Sequence, residues 1–192
     1  MSHRLVLSHI TPLLHEKAIE YFENADPEGF VYSALNNQHY LALVAGNAAA
    51  LKERGIYETA LLRAFTGCRV NNRHFSETQL QRLFELADKK KLRSAGDPLP
   101  HAGPFIIYRG IAGNGRARRP HGFSWTDSLP HACWFAQRLC LPNPTVITAS
   151  VEASEVLAYY KSRSESEFIV RPKSYQQLAH GLDELKRLSN KV

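Results

Sequence analysis

The stretch Ser164-Glu165-Ser166-Glu167-Phe168-Ile169-Val170 has the composition of a β-strand, and Pro172 stops it. Its last three residues favour strands. Because side chains alternate along a strand, Glu165 and Glu167 are expected on one face, with the serine and the phenylalanine on the other. Two carboxylates then stand side by side at the end of an apolar segment. An exposed edge strand also carries glutamates, so this pair alone leaves its purpose open.

The 192-residue chain has a net charge of +6 and is 44% hydrophobic, which suits one ordinary domain or two small ones. Five arginines and a single acid, Asp127, lie between Arg109 and Arg138. Such a segment attracts phosphates of a nucleic acid or of a nucleotide. We find no apolar run of the roughly 18 residues that a membrane span needs and no signal-peptide pattern, so we expect a cytoplasmic protein without a membrane partner.

The three cysteines, Cys68, Cys133 and Cys140, form no CxxC pair. We expect reduced, buried thiols, as in cytosolic proteins. Neither His121 nor His131 completes a standard zinc spacing with them, so no metal site is predicted.

The helical spacing of apolar residues ends at Gly96-Asp97-Pro98-Leu99-Pro100, where glycine and proline interrupt it. We therefore predict a helical N-terminal region over residues 1–98 and a second region over residues 99–192. Short strands and two helices are expected in the second region, which makes the fold class α+β.

Helical spacing and stop signals divide the first region. They predict one long helix over residues 33–54 that ends at Gly55. A capping box begins a later helix at Ser76, and that helix is expected to end in Lys89-Lys90-Lys91 beside its negative dipole end.

In the second region, strands are predicted over residues 105–108, 123–126, 145–151, 156–160 and 165–170, and helices over 129–138 and 174–188. Arg109 directly follows the first strand, where a guanidinium either pairs with an acid or clamps a phosphate. Gly110 allows a ligand to approach the backbone closely. On the next strand Ser124 and Thr126 face one side and Trp125 the other.

These motifs occur in a fixed order: Arg109-Gly110, then Ser124-Trp125-Thr126, then Glu165-Ser166-Glu167. In this order the chain resembles the mono-ADP-ribosyltransferase family, specifically its Arg–Ser–Glu class. Members of that class carry an arginine on a first core strand, a Ser-Thr-Ser-like motif on a second, and a Glu-x-Glu or Gln-x-Glu pair on a later one. The similarity covers about residues 104–170, and Trp125 and Thr126 stand where the fuller motif has Thr and Ser.

The resemblance implies an ADP-ribosyltransferase-like split β-sandwich over residues 99–192 and NAD+ as the substrate, with no metal. The implied NAD+-binding residues are Arg109, Gly110, Ser124, Trp125, Thr126 and Glu167. Glu167 would bind a ribose hydroxyl and stabilise the developing positive charge, with Ser124 orienting it. Arg109 would hold the diphosphate or the nicotinamide ribose, the Gly110 backbone would bond the carboxamide, and Glu165 would align or deprotonate the acceptor.

A glutamate at the first position of the pair often accompanies modification of arginine in this family, so a protein arginine is the expected acceptor. Arg116, Arg118 and Arg119 would recognise a phosphate-bearing or acidic target or the nucleotide, unless they form a solvated loop. Modification of RNA or DNA, NAD+ hydrolysis and a non-catalytic nucleic-acid-binding module stay open as alternatives.

The resemblance also implies a biological setting, because small transferases of this kind are frequently toxins. They act as partners of an antitoxin, as antiphage effectors or as injected effectors. Residues 1–98 would then brace the NAD+ cleft, recognise the target or bind a neutralising partner.

Overall fold

Helices make up the first half of the chain, and short strands with two helices make up the second, which confirms the α+β class. The computed structural model describes residues 4–67, 75–162, 165–178 and 182–190. The chain divides into two units, Met1–Ala95 and Gly96–Val192. The boundary expected from the sequence lies a few residues later, after Pro98.

The first unit contains seven α-helices in its described part, preceded by a short 3-10 turn, Pro12–Leu14. They are α1 His15–Glu23, α2 Pro27–Tyr32, α3 Tyr40–Gly46, α4 Ala48–Arg54, α5 Tyr57–Gly67, α6 Glu77–Leu86 and α7 Lys89–Ser94. The apolar face of α5 is central, because Leu61 and Leu62 are fully buried and α5 packs against α2, α3, α4 and α7.

The single helix predicted over residues 33–54 is wrong, since α3 and α4 are separate and meet at Asn47. The Asn47 side chain is buried and donates to the carbonyl oxygens of Leu43 and Val6, at 2.8 and 2.9 Å. Its Oδ1 accepts from the Val6 N–H at 2.7 Å. A side chain that competes for backbone groups in this way interrupts a helix. Gly55 ends α4 with a φ of 77°, as predicted.

The capping box at Ser76 is confirmed, but the prediction that its helix ends in the lysine run is wrong. Helix α6 ends at Leu86, and the lysines begin α7 instead. Asp88 caps α7 by accepting from the N–H groups of Lys90 and Lys91, at 2.9 and 3.0 Å. These contacts, the one from Lys91 first, lower the pKa of Asp88.

The second unit holds two three-stranded sheets in its described part. Its elements are β1 Phe105–Ile111, β2 Ser124–Trp125, α8 Leu129–Gln137, β3 Thr145–Val151, β4 Ala158–Ser162, β5 Glu165–Ile169, β6 Gln176–Gln177 and α9 Leu182–Ser189, with a 3-10 turn at Gly115–Ala117. One sheet has the order β1-β3-β6 and the other β2-β5-β4, with all neighbours antiparallel.

An apolar core joins the two sheets. Phe105, Ile107 and Ile147 come from the first sheet, and Trp125 and Phe168 come from the second, where they are direct partners. On the outer side of the first sheet, α8 and α9 bury a smaller cluster. The sandwich therefore fixes how the strand ends of one sheet lie beside those of the other.

The C-terminal helix predicted over residues 174–188 is wrong at its start. Gln176 and Gln177 form β6 on the edge of β3, and the Leu178 N–H continues the pairing by donating to the Val146 carbonyl at 2.9 Å. Among the residues of this span that the structure describes, helix is present in α9 alone, with Leu185 buried against α8. A free sheet edge therefore overrides the helical propensity of these glutamines.

The buried-thiol prediction holds for Cys133, is wrong for the exposed Cys140, and for Cys68 falls outside the described residues. Burial is the first cause that raises the pKa of the Cys133 thiol. Across the described ranges, none of the helices is both long and apolar enough to cross a membrane.

Candidate active site

Glu165 and Glu167 both lie on β5, with side chains on the same face of the strand. The pairing with β4 sets Glu165 opposite Ser162 and Glu167 opposite Tyr160. Glu165 is exposed, whereas Glu167 is partly buried. The opposite face of β5 directs Phe168 into the sandwich core. The two carboxylates thus stand side by side at the end of the strand that reaches solvent.

Ser124 of β2 faces the same side as Glu167. Ser124 pairs with Ile169, two residues along β5 from Glu167, so the alternation of both strands turns the two side chains to one face. The Ser124 hydroxyl donates a hydrogen bond to the Glu167 carboxylate. The contact orients the carboxylate on the strand.

Arg109 lies within β1 and pairs with Ile147 of β3, so the prediction that it follows the strand is wrong. The Arg109 guanidinium reaches from β1 to the segment that leads into β2. Its Nη1 donates to the Ser124 carbonyl oxygen at 2.5 Å, and its Nε donates to the Arg119 carbonyl oxygen at 3.2 Å. A Cβ atom at Gly122 would lie 2.2 Å from Arg109 Nη2. Glycine at position 122 is therefore what leaves room for the guanidinium beside Ser124.

Burial is the largest influence on the Glu167 carboxyl and raises its pKa. The hydrogen bond from Ser124 and the charge of Arg109 lower the pKa, Glu165 raises it, and Arg138 lowers it, with a net upward shift. Each of these effects has its ordinary sign for a carboxyl group. A partly desolvated carboxylate interacts more strongly with a nearby cation than a hydrated one does, so Glu167 is suited to stabilise positive charge.

Arg138 also belongs to this site, although the sequence analysis assigns it no role. It follows α8, and its guanidinium carbon lies 4.6 Å from the ring centre of Phe135 and 5.6 Å from that of Trp134, within cation–π range. Its charge also acts on Glu167. The available signal was a lone arginine at the C-terminal end of the helix that follows β2.

Packing against α8 requires a glycine at position 110. A Cβ atom there would lie 2.1 Å from the Ala132 carbonyl oxygen and 2.4 Å from the Ala136 nitrogen, both in the backbone of α8. Gly110 also pairs with Val146 on β3. Close approach of β1 to α8 explains the glycine, and the expected bond to a carboxamide stays a prediction.

The side chains of Trp125 and Thr126 make contacts within the protein. Trp125 is 2% exposed, and its Nε1 donates to the Gly122 carbonyl oxygen at 2.9 Å. Thr126 Oγ1 accepts from the Ser128 N–H at 3.1 Å, at the turn before α8. The Trp125 indole belongs to the core, which leaves only backbone atoms of that residue for the predicted contact with NAD+.

The three loop arginines are not equivalent. Arg118 Nη1 donates to the Asn143 carbonyl oxygen at 2.9 Å, and Asn143 Nδ2 donates to Asn114 Oδ1 at 2.7 Å, which ties the loop to the turn before β3. Arg119 supplies the carbonyl that Arg109 contacts. The side chain of Arg116 lies outside the described part of the chain. Their predicted role in target binding stays a prediction.

A separate open pocket of about 370 Å³ lies in the first unit. It is lined by Lys52, Glu58, Leu86, Ala87, Asp88 and Lys91. Lys52 Nζ donates to the Leu86 carbonyl oxygen at 2.6 Å, and Glu58 Oε1 accepts from the Asp88 N–H at 2.9 Å. These polar groups join α4 and α5 to the link between α6 and α7, so we interpret the pocket as structural.

In the described ranges, groups of three or more His, Cys, Asp or Glu side chains placed to hold a metal ion are absent. Comparison of the chain with protein-family models, with curated proteins and with solved structures finds no match. A functional assignment therefore rests on the motif resemblance and on the geometry around Glu167.

Proposed function

We propose that the chain is a mono-ADP-ribosyltransferase of the Arg–Ser–Glu class, which moves ADP-ribose from NAD+ to a macromolecular acceptor and releases nicotinamide. The main support for the proposal is the environment of Glu167, which receives a hydrogen bond from Ser124 and on which the charges of Arg109 and Glu165 act. The motif resemblance requires these four residues to meet, although they come from three strands of two sheets. The proposal includes the fold, with the two sheets taken as the split β-sandwich of that family.

In the proposed reaction, the bond between C1′ of the nicotinamide ribose and the nicotinamide nitrogen breaks, and nicotinamide leaves with the electron pair. The ribose becomes oxocarbenium-like, and Glu167 stabilises its positive charge from a partly desolvated position. The acceptor nucleophile then bonds to C1′ and gives its proton to Glu165. The exposure of Glu165 suits this role, because the acceptor arrives from solvent.

Arg109 and Ser124 have binding and orienting roles in this proposal. The Arg109 guanidinium, placed by its contacts with the Ser124 and Arg119 carbonyl oxygens, holds a phosphate or a ribose oxygen. Ser124 holds the Glu167 carboxylate against the ribose. A non-catalytic nucleic-acid-binding module has less support, since Arg118 of the basic loop already donates to the Asn143 carbonyl oxygen.

We further propose a protein arginine as the acceptor and a toxin or effector role in the cytoplasm, with an antitoxin or inhibitor as a partner. Expression of the wild-type chain should then harm a cell, and Glu167→Gln should relieve the harm. Equal harm from both versions would argue against the toxin role.

The central test follows NAD+ and its products by mass spectrometry after incubation of the purified protein with NAD+ and a cell lysate. The variants are Glu167→Gln, Glu165→Gln and, as a matched control, Glu53→Gln, which changes an exposed glutamate of the first unit. We expect Glu167→Gln to lower nicotinamide release by about 100-fold or more, as loss of a charge-stabilising group does. Glu165→Gln should keep nicotinamide release and lose adducts, and Glu53→Gln should match the wild type.

Other outcomes separate the alternatives. Nicotinamide without adducts would indicate NAD+ hydrolysis, and adducts on RNA or DNA would replace protein as the acceptor. A folded wild-type protein that forms neither product would contradict the proposal. In that case a steeply salt-dependent affinity for nucleic acid, insensitive to Glu167→Gln, would favour the binding module.

A further inference from the structure

Strand β2 leaves β5 before the sheet reaches the two glutamates. Its pairs with β5 are Ser124–Ile169 and Trp125–Phe168, and the next residue, Thr126, pairs instead with Tyr108 of β1. The Tyr108 N–H donates to the Thr126 carbonyl oxygen at 2.6 Å, and the Thr126 N–H donates back at 2.9 Å. Residues 165–167 therefore extend beyond the β2 ladder and pair with β4.

A side-chain hydrogen bond spans this opening. Ser166 Oγ donates to Asp127 Oδ1 at 2.5 Å, and Asp127 is the residue directly after Thr126. Ser166 also shares a hydrogen bond with the Tyr159 hydroxyl. A carboxylate only accepts, so the hydroxyl proton of Ser166 is directed to Asp127.

The Tyr159 end of this chain is anchored in the core. Tyr159 is 4% exposed, and its ring centre lies 4.8 Å from that of Phe168. Asp127 is anchored by the turn into α8, which begins two residues later. Ser166 thus links a buried aromatic residue to the corner where β2 changes sheets.

We propose that Ser166 and Asp127 are positioning residues that hold the outer end of β5, so that Glu165 keeps its place beside Glu167. This inference rests on the proposed transferase function and deepens it. Ser166 lies between the two glutamates but faces the other side of the strand, so it acts on them only through the backbone that it holds. The bond it makes is charge-assisted and lies at the exposed edge of the sheet.

The two glutamates depend on this bond to different degrees. Glu167 is adjacent to Phe168, the last β5 residue paired with β2, and also receives the hydrogen bond from Ser124. Glu165 lies two residues further out and is exposed. Loss of the Ser166–Asp127 bond should therefore displace Glu165 more than Glu167. Transfer to an acceptor would fall while nicotinamide release continues.

The test uses NAD+ with agmatine, a small guanidinium compound, as the acceptor probe, and measures nicotinamide and ADP-ribosyl-agmatine from the full chain. We expect Ser166→Ala and Asp127→Ala each to lower the ratio of transfer to release by about tenfold, as loss of a hydrogen bond to a charged group does. Ser166→Thr keeps the hydroxyl and should restore the ratio. The double variant should be no worse than either single variant, because both remove one bond.

A loss of folded protein alone lowers both products equally and leaves their ratio unchanged, so an unchanged ratio in Ser166→Ala overturns the inference. Amide hydrogen exchange of residues 165–167 provides a readout that does not depend on catalysis. We expect exchange about tenfold faster in Ser166→Ala and at the wild-type rate in Ser166→Thr. If the wild type releases no nicotinamide or does not modify agmatine, exchange still decides: unchanged exchange refutes the positioning role, while absent chemistry refutes the proposed function or its acceptor.

Discussion

The substitution Gly122→Ala places one methyl group directly against the Arg109 guanidinium. The added Cβ would lie 2.2 Å from Nη2 and 2.5 Å from Cζ of Arg109. Non-bonded heavy atoms pack at about 3.5 Å, so the guanidinium has to retreat by about 1.3 Å. Gly122 does not have the positive φ that would strain alanine, and the obstructing atoms are the end of a flexible side chain. The side chain should therefore yield before the backbone does.

A retreat of this size breaks one or both of the hydrogen bonds from Arg109 to the carbonyl oxygens of Ser124 and Arg119. Each is worth about 1.5 kcal/mol because the donor is charged, but the released guanidinium regains water. We expect the free energy of unfolding to fall by only about 1 kcal/mol. The rate of nicotinamide release should fall by about 100-fold, as it does when a positioning group moves by about 1 Å.

The assay compares kcat/KM for nicotinamide release with the free energy of unfolding in urea. Gly46→Ala is the matched control, because the nearest side-chain atom that its Cβ would meet, in Val6, lies at 3.7 Å, which is ordinary contact. Wild-type turnover in Gly122→Ala would refute the idea that Arg109 acts from this position. A loss of several kcal/mol of stability would show instead that the backbone had moved.

Two further predictions concern the same strands. Gly110→Ala should lower the free energy of unfolding, measured in urea, by about 3 kcal/mol. The added Cβ would clash with backbone atoms of α8, which cannot move as a flexible side chain can. A loss of stability no larger than that of Gly122→Ala would contradict this packing. The pKa of Glu167 is raised, so the folded state favours its protonated form. The stability that comes from this preference is fully present below the unfolded-state pKa of about 4.3. It is lost as the pH rises through the folded-state pKa. Glu167→Gln should therefore melt at a higher temperature than the wild type near neutral pH and lose that advantage near pH 4; a difference that does not change with pH would refute the raised pKa.

Local patterns predict the parts of the fold that depend on neighbours in sequence. The strand Thr145–Val151 has the predicted bounds, and the capping box at Ser76 and the left-handed Gly55 begin and end helices as expected. The alternation of β5 also predicts that Glu165 and Glu167 share a face. In each case, residues that are close together in the sequence determine the local structure.

Contacts between distant residues explain the errors. Asn47 divides a predicted helix because it bonds Val6, 41 residues earlier. The lysine run begins a helix because Asp88 is held by the buried Glu58 and can cap it. Gln176 and Gln177 form a strand because β3 offers them an edge. No periodicity within these segments encodes such partners.

The candidate site combines both kinds of information, so the sequence predicts Arg109, Ser124 and the two glutamates, but neither Arg138 nor the contacts that support these residues. Arg109 belongs to one sheet, and Ser124 and Glu167 belong to the other, so their meeting depends on the shared apolar core and on the bridge between Tyr108 and Thr126. The same bridge ends the β2 ladder and leaves the glutamates of β5 beyond it. On its β2 side, β5 therefore lacks backbone pairing beside the two glutamates. Side-chain contacts such as Ser166–Asp127 replace that pairing, so residues outside the motif should influence the reaction through geometry.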